Sequence, residues 1–313
     1  MKIFIEIPSW IGDCVMFTPA LKNLQNHFYK SEIFLFGNKN CLELFKHDNS
    51  LKKLVPLETK KYSYLLKIAK NLGQFDLSIS FRSSFRSKIF LFFIKSNKKY
   101  QYNKLLYKGG HQVVYYNEFV NTIVGGKYKP KNLSLKTYNI KNPSFTRPTL
   151  GINPGAAYGN AKKWSPEKFA EVAYALSNDY HILIFGAITD FEVCDMIENY
   201  LSHRGVKQVN NLCGKTTIEE LVNAISGLSF FITGDSGPMH IAAAFEIPTI
   251  SIFGPTNDLE TCQWQNHKSV VVKKNYSCMP CKKRTCPLGH NNCMAELNSK
   301  EVIQAYDLLM SEK

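Results

Sequence analysis

No stretch of this 313-residue chain stays apolar for long. The longest dense run, Ile89 to Ile94, falls far short of the roughly 20 residues that a membrane-spanning helix needs. The N-terminus has no basic segment leading into a long apolar run and a small-residue cleavage site. Apolar residues there alternate with Glu6 and Pro8, so a soluble, cytoplasmic protein is expected. No Gly-x-Gly-x-x-Gly follows the first strand pattern, which argues against a nicotinamide enzyme. There is also no Asp-x-Asp pair of the kind that clamps a metal-bound diphosphate. Acidic residues are scarce in one half only: residues 1–150 hold 25 Lys and Arg against 8 Asp and Glu, whereas residues 151–313 hold 14 against 17. The basic half is the one expected to meet a polyanion, whether nucleic acid, an anionic membrane surface or an acidic glycolipid.

What is present fits two domains of ordinary size, each able to bury its own core. Lys2 to Ile7 alternates and reads as a first strand, Pro8-Ser9-Trp10-Ile11-Gly12-Asp13 as a glycine turn, and Val15, Phe17, Leu21, Leu24 and Phe28 as an apolar helical stripe. Asp13 is either the helix N-cap or, if Thr18-Pro19 opens the helix, a loop carboxylate at the carboxyl end of strand one, where α/β sheets present functional groups. Further strands are expected at Ile33 to Phe36 and Leu77 to Phe81. Arg82, Arg86 and Lys88 then precede an aromatic run closed by Lys95, Lys98 and Lys99. That stretch reads as a buried helix with a basic rim suited to headgroups or acidic sugars. His111 stands at the start of a helical pattern reaching Val124. Residues 126–148, rich in Lys, Asn and Pro, read as a surface connection, with the domain boundary near Thr146.

The second half opens with a strand at Leu150 to Asn153 and a small-residue loop, Pro154-Gly155-Ala156 through Lys162-Lys163-Trp164. Such a loop can fold over a diphosphate, with an ammonium group offsetting its charge. Ser165-Pro166-Glu167 reads as cap, first-turn proline and acidic second residue of the next helix. Tyr180 to Phe185 is a buried strand, and Asp190 and Glu192 beyond it read as helix-capping carboxylates. Thr216 with Glu219, or Thr217 with Glu220, has capping-box spacing. Phe230 to Thr233 is a further strand, followed by Gly234-Asp235-Ser236-Gly237 and a helix over Met239 to Glu246 whose N-terminal N–H groups make a phosphate seat. Thr249 to Phe253 is the strand after it. Cys278, Cys281, Cys286 and Cys293, with His290, have spacing that admits either zinc or free thiols in a compact loop, and no metal is the preferred reading. Ser299 to Met310 reads as a final helix packing back on the body.

Several of these segments resemble the lipopolysaccharide heptosyltransferases, glycosyltransferases of the GT-B fold. The family's Gly-Asp-(Ser/Thr)-Gly-x-x-His-x-x-Ala signature falls on Gly234, Asp235, Ser236, Gly237, His240 and Ala243, with Phe-Gly-Pro-Thr at Phe253 to Thr256. Its Ile-Gly-Asp motif falls on Ile11 to Asp13, and its Pro-Gly-Ala…Lys-x-Trp motif on Pro154, Gly155, Ala156, Lys162 and Trp164. The cysteine segment is nearer to the heptosyltransferase II branch than to heptosyltransferase I.

The resemblance implies two Rossmann-like α/β domains facing across a cleft and closing in each turnover: residues 1–146 for the acceptor, 147–298 for the nucleotide sugar, and 299–313 as the terminal helix. It implies ADP-L-glycero-D-manno-heptose as donor, heptosyl-Kdo-lipid A as acceptor, and inversion without a cofactor or metal. Asp13 would be the general base and Lys162 would stabilise the leaving group. Gly155, Lys162, Lys215, Thr216, Asp235, Ser236, Gly237 and His240 would bind the donor, and Ser9, Trp10, Arg82 and Arg86 the acceptor. The expected setting is the cytoplasmic face of the inner membrane, with peripheral contact and no nucleic acid. A nucleic-acid module with a zinc-held cysteine loop is the remote alternative, lacking any known RNA or DNA motif.

Overall fold

Two compact units make up the chain, Met1–Lys136 and Thr137–Lys313. The computed structural model describes residues 1–59, 61–137 and 145–311 of them. Residues 138–144 of the expected surface connection, and the last two residues of the chain, lie outside the described residues.

The first unit alternates strand and helix: β1 (Lys2–Glu6), α1 (Ile11–His27), β2 (Glu32–Gly37), α2 (Lys39–Glu43), β3 (Lys53–Pro56), α3 (Tyr62–Asn71), β4 (Gln74–Ser80), α4 (Phe85–Phe93), β5 (Lys95–Gln101) and α5 (Gln112–Val124). Its strands pair in parallel in the order β3-β2-β1-β4-β5. Parallel strands need crossovers, and helices on both faces then bury the central strands, so β1 carries Ile3, Phe4 and Ile5 with no exposed surface. The Phe4 ring centroid lies 5.9 Å from Phe36, 5.4 Å from Phe75 and 5.9 Å from Phe90, which ties three strands and α4 into one aromatic core.

The helix after β1 starts earlier than the Thr18-Pro19 signal suggests. It begins at Ile11, with Trp10 as an N-cap that makes no side-chain cap, so Asp13 lies in the first helical turn, neither cap nor loop residue. Pro19 sits inside the helix. A proline there has no N–H for the carbonyl four residues back, which is that of Val15. The Thr18 hydroxyl donates to Val15 O at 2.7 Å and satisfies that carbonyl, so the helix runs through the proline.

The second unit repeats the alternation: β6 (Thr149–Asn153), α6 (Pro166–Ala175), β7 (His181–Ile184), α7 (Phe191–His203), β8 (Val209–Asn211), α8 (Ile218–Ser226), β9 (Phe230–Gly234), α9 (Gly237–Ala244), β10 (Thr249–Phe253), α10 (Asp258–Thr261), β11 (Ser269–Lys273), α11 (Asn292–Ala295) and α12 (Ser299–Ser311). Its parallel sheet has the order β11-β10-β9-β6-β7-β8. Ser165 caps α6 ahead of Pro166, and of the two possible boxes before α8 it is Thr217 with Glu220 that forms. The terminal helix α12 packs on α6, β10 and β11 through Val302, with Tyr306 against Tyr180 and Phe230. Among the described residues no helix is long and apolar enough to cross a membrane.

Candidate active site

In an open parallel sheet, ligands bind beyond the carboxyl ends of the strands where the strand order reverses. Each unit has one such switch point, between β1 and β4 in the first and between β6 and β9 in the second. Ser9, Trp10, Asp13 and Arg82 follow the strand ends at the first, and Gly155, Lys162, Asp235, Ser236 and Gly237 lie at the second, whereas Lys215 and Thr216 do not.

At the first switch point, the turn after β1 carries Ser9 and the exposed Trp10 into α1, and Asp13 follows in its first turn. The Asp13 charge reaches two neighbouring phenols. Burial, with Asp13 as a smaller contributor, pushes Tyr102 up to about 12, and burial with Asp13 second pushes Tyr116 well above its ordinary value. Both phenols therefore keep their protons at neutral pH. Beside them lies a residue that sequence reading passed over. Glu6 ends β1 at 3% exposure and accepts hydrogen bonds from Ser80 Oγ (2.6 Å), Ser87 Oγ (3.0 Å) and Arg82 Nη1 (3.3 Å). Burial pushes its carboxyl above the ordinary range, opposed by those serines and by the charges of Arg82 and Arg86. Arg82 is thus anchored at the carboxyl end of β4, with Arg86 half-buried in the first turn of α4. The signal for Glu6 was a carboxylate inside an otherwise apolar strand, since a buried charge demands partners. His111, at the start of the helical pattern that reaches Val124, is engaged as the N-cap of α5, its Nδ1 accepting from Val113 N–H at 3.2 Å.

At the second switch point, Lys162 Nζ lies 2.5 Å from Asp235 Oδ2, with the two side chains only 11% and 7% exposed. Thr256 Oγ1 donates to the same oxygen at 2.6 Å. The two motifs that supply lysine and aspartate, 73 residues apart, therefore form one ion pair. The helix α9 begins at Gly237, two residues earlier than expected, and Glu246 lies beyond its end with φ of +53°. Its N-cap Ser236 makes no side-chain cap. The Ser236 hydroxyl instead meets Asn153 Nδ2 (3.2 Å) and Thr233 Oγ1 (3.1 Å), so its own oxygen does not cap the N–H groups that open the helix. Asn153, at the end of β6, is a second residue that sequence reading missed; it also donates to Gly155 O at 3.3 Å and to Thr233 Oγ1 at 3.2 Å. His240 is buried in the first half of α9.

Lys215 and Thr216 stand further along the sheet, after the edge strand β8. Lys215 Nζ donates to Asn211 O at 2.9 Å. Their turn is joined to the Lys162 loop through the intervening β7 turn: Gly214 N–H donates to Gly186 O at 2.9 Å, and Asp190 fills the space that a side chain at Gly155 would take. Asp190 makes no side-chain cap on α7. It accepts from Ala187 N–H (3.2 Å) and faces Lys163 Nζ (3.8 Å). All nine cysteines are free thiols. Cys278, Cys281, Cys286 and Cys293 line one cavity of about 20 Å³ together with His290, Ala161 and Pro255. Backbone N–H groups of Asn291 and its three preceding residues hold the Cys286 thiol below its ordinary value. Among the described residues, no group of three His, Cys, Asp or Glu side chains is arranged to hold a metal ion.

The chain is similar to known proteins in both sequence and fold. The family model for glycosyltransferase family 9 (heptosyltransferase) matches residues 126–292. Lipooligosaccharide heptosyltransferase 2 of Campylobacter jejuni (subsp. jejuni serotype O:2) is 41% identical, over 99% of this chain and 98% of that protein. Among solved structures, the family 9 glycosyl transferase of Veillonella parvula has a TM-score of 0.85 at 21% identity, covering 100% of this chain and 98% of that one. ADP-heptose LPS heptosyltransferase II of E. coli has a TM-score of 0.81 at 22% identity, covering 100% and 99%. The fold shared over the whole chain is GT-B, as the sequence motifs imply.

Proposed function

Since the chain belongs to glycosyltransferase family 9, the heptosyltransferases, we propose that it acts as a heptosyltransferase II. In this reading it moves L-glycero-D-manno-heptose from ADP-heptose onto the heptose of heptosyl-Kdo-lipid A, inverting the anomeric centre without a metal ion. The observation that carries the donor half is the Lys162–Asp235 pair beside the uncapped start of α9 at the β6/β9 switch point. Departure of ADP leaves charge on the diphosphate, and an ammonium with oriented N–H groups stabilises that charge without reorganising. Asp235 and Thr256 hold the ammonium in place. Gly155 and Asn153 shape the loop around it, Lys215 and Thr216 line the adenine side, and His240, buried within α9, completes the donor-binding set.

Asp13 takes the proton from the acceptor hydroxyl as positive charge develops on the donor sugar ring. Ser9, Trp10, Arg82 and Arg86 receive the acceptor, the guanidinium groups pairing with the acidic groups of the inner core. The enzyme works at the cytoplasmic face of the inner membrane. Support for peripheral contact comes from Phe85, Phe92 and Phe93 on α4 and from Leu105 and Leu106, all exposed beside the exposed Lys95, Lys98, Lys99 and Lys104. In this respect α4 departs from the buried helix that its sequence suggests, since of its apolar residues only Phe90 and Leu91 are buried.

Product analysis with ADP-heptose and defined truncated cores tests the reading. The wild type should extend the heptosyl-Kdo-lipid A core by one heptose in the presence of a chelator. Asp13→Ala should lower kcat by about 10²–10⁴-fold, and Lys162→Ala by about 10²–10³-fold. Transfer to none of the cores by the wild type would remove the function, and normal turnover by Asp13→Ala would remove the base.

A further inference from the structure

The cysteine-rich segment between β11 and α11 has no part in the reaction as described, yet its main chain is fastened to the donor site on two sides. Ala161 N–H donates to Arg284 O at 3.1 Å, and the Tyr158 hydroxyl donates to Lys282 O at 2.9 Å. On the other side Lys282 N–H donates to Pro255 O at 2.7 Å, next to the Thr256 that holds Asp235. Gly159 makes the approach possible: it has φ of +156°, and a Cβ there would lie 2.5 Å from the Arg284 carbonyl oxygen. The backbone at 282–284 is therefore fixed to the loop that carries Lys162.

Its side chains are used unequally. Lys282 Nζ is taken by Glu260, at 2.7 Å from both carboxylate oxygens. Arg284 is exposed and, among the described residues, has no carboxylate within ion-pair distance. Its guanidinium carbon lies 5.3 Å from the centroid of the Tyr158 ring, and Lys162 Nζ lies 4.8 Å from the same centroid. Together these distances bound the separation of the two cations at about 10 Å, within reach of the long, exposed arginine side chain.

Charge bookkeeping shows what is missing. The Lys162–Asp235 pair is neutral as a unit, and a helix N-terminus contributes only about half a positive charge. A nucleoside diphosphate leaving group carries more than that can offset. We propose that Arg284 is a donor-binding residue whose guanidinium grips the diphosphate of the nucleotide sugar, with Tyr158 as the platform that limits its rotamers. This rests on the donor-site reading above. The planar fork suits two phosphate oxygens at once, and because the segment is held through backbone carbonyls, truncating the Arg284 side chain leaves its docking intact.

Calorimetric titration of ADP, AMP and adenosine into wild type, Arg284→Gln, Arg284→Lys and Lys162→Ala tests the proposal. Arg284→Gln should bind ADP about tenfold more weakly, lose less on AMP and bind adenosine as the wild type does, with Tm unchanged and Arg284→Lys intermediate. ADP affinity within about twofold of wild type in Arg284→Gln, alongside a clear loss in Lys162→Ala, would overturn the role of Arg284 and leave the donor site standing. An unaltered ADP affinity in both variants would overturn the donor site as well. Equal losses on ADP and adenosine in Arg284→Gln would show a disrupted loop and overturn the charge-specific role.

Discussion

Thr18 shows how much one hydroxyl can carry. It donates to the Val15 carbonyl that Pro19 leaves without a partner, and it accepts from Ser134 N–H at 3.1 Å. Thr18→Val keeps the shape and removes both bonds, stranding a buried carbonyl. Urea unfolding should show a loss of roughly 1–3 kcal/mol, whereas Thr18→Ser should retain most of the wild-type stability. At this scale the sequence was a partial guide. Lys162 and Asp235 stand in separate motifs, and their residue types suggested charge at a phosphate site, but their 2.5 Å pairing depends on which strands are neighbours. Glu6 and Asn153 were given no role because a polar residue near the end of an apolar strand shows no partner in the sequence. Only the fold shows that both strand ends are switch points.

Secondary-structure elements were legible where burial imposed a pattern. Strands β1, β2, β9 and β10 are apolar because helices cover both their faces. The edge strand β5 reads Lys-Ser-Asn-Lys-Lys-Tyr-Gln, and no periodicity reveals it; main-chain pairing with β4 alone defines it. The start of α1 was misplaced because Pro19 imitates a first-turn proline while Thr18 repairs its cost.

Loop attachments between elements carry a pH signature. Burial alone would push the Asp48 carboxyl up, but hydrogen bonds from Ser50 and Gln25 and the charge of Lys136 outweigh it and hold the carboxyl below its ordinary value. A depressed folded-state pKa contributes stability that is present above the unfolded value and lost as pH falls through the folded one. Asp48→Asn should therefore lower the unfolding free energy by about 1 kcal/mol at pH 7. The gap between variant and wild type should close as the pH drops below the ordinary carboxylate range. A gap that stays constant down to the acid limit would show that Asp48 acts through shape alone.

Across the whole molecule, charge is divided unequally between the two halves. The basic half holds 25 Lys and Arg against 8 acidic residues, and its exposed phenylalanines and leucines stand among lysines. Cosedimentation should therefore favour vesicles containing phosphatidylglycerol over pure phosphatidylcholine, with binding weakening as salt rises. Phe85→Ser combined with Phe92→Ser should reduce that binding without altering turnover of a soluble acceptor analogue. Composition revealed this asymmetry, while the apolar part of the surface emerged only once α4 was seen to expose three of its phenylalanines.

The claim on which the rest depends is that protein groups alone hold the diphosphate in the second unit. Crystals soaked with a slow-reacting ADP-heptose analogue in the presence of a chelator test it most directly. The diphosphate should lie within hydrogen-bond distance of Lys162 Nζ and of the first N–H groups of α9. Density for the diphosphate away from both, or binding that requires a divalent ion, would contradict the account.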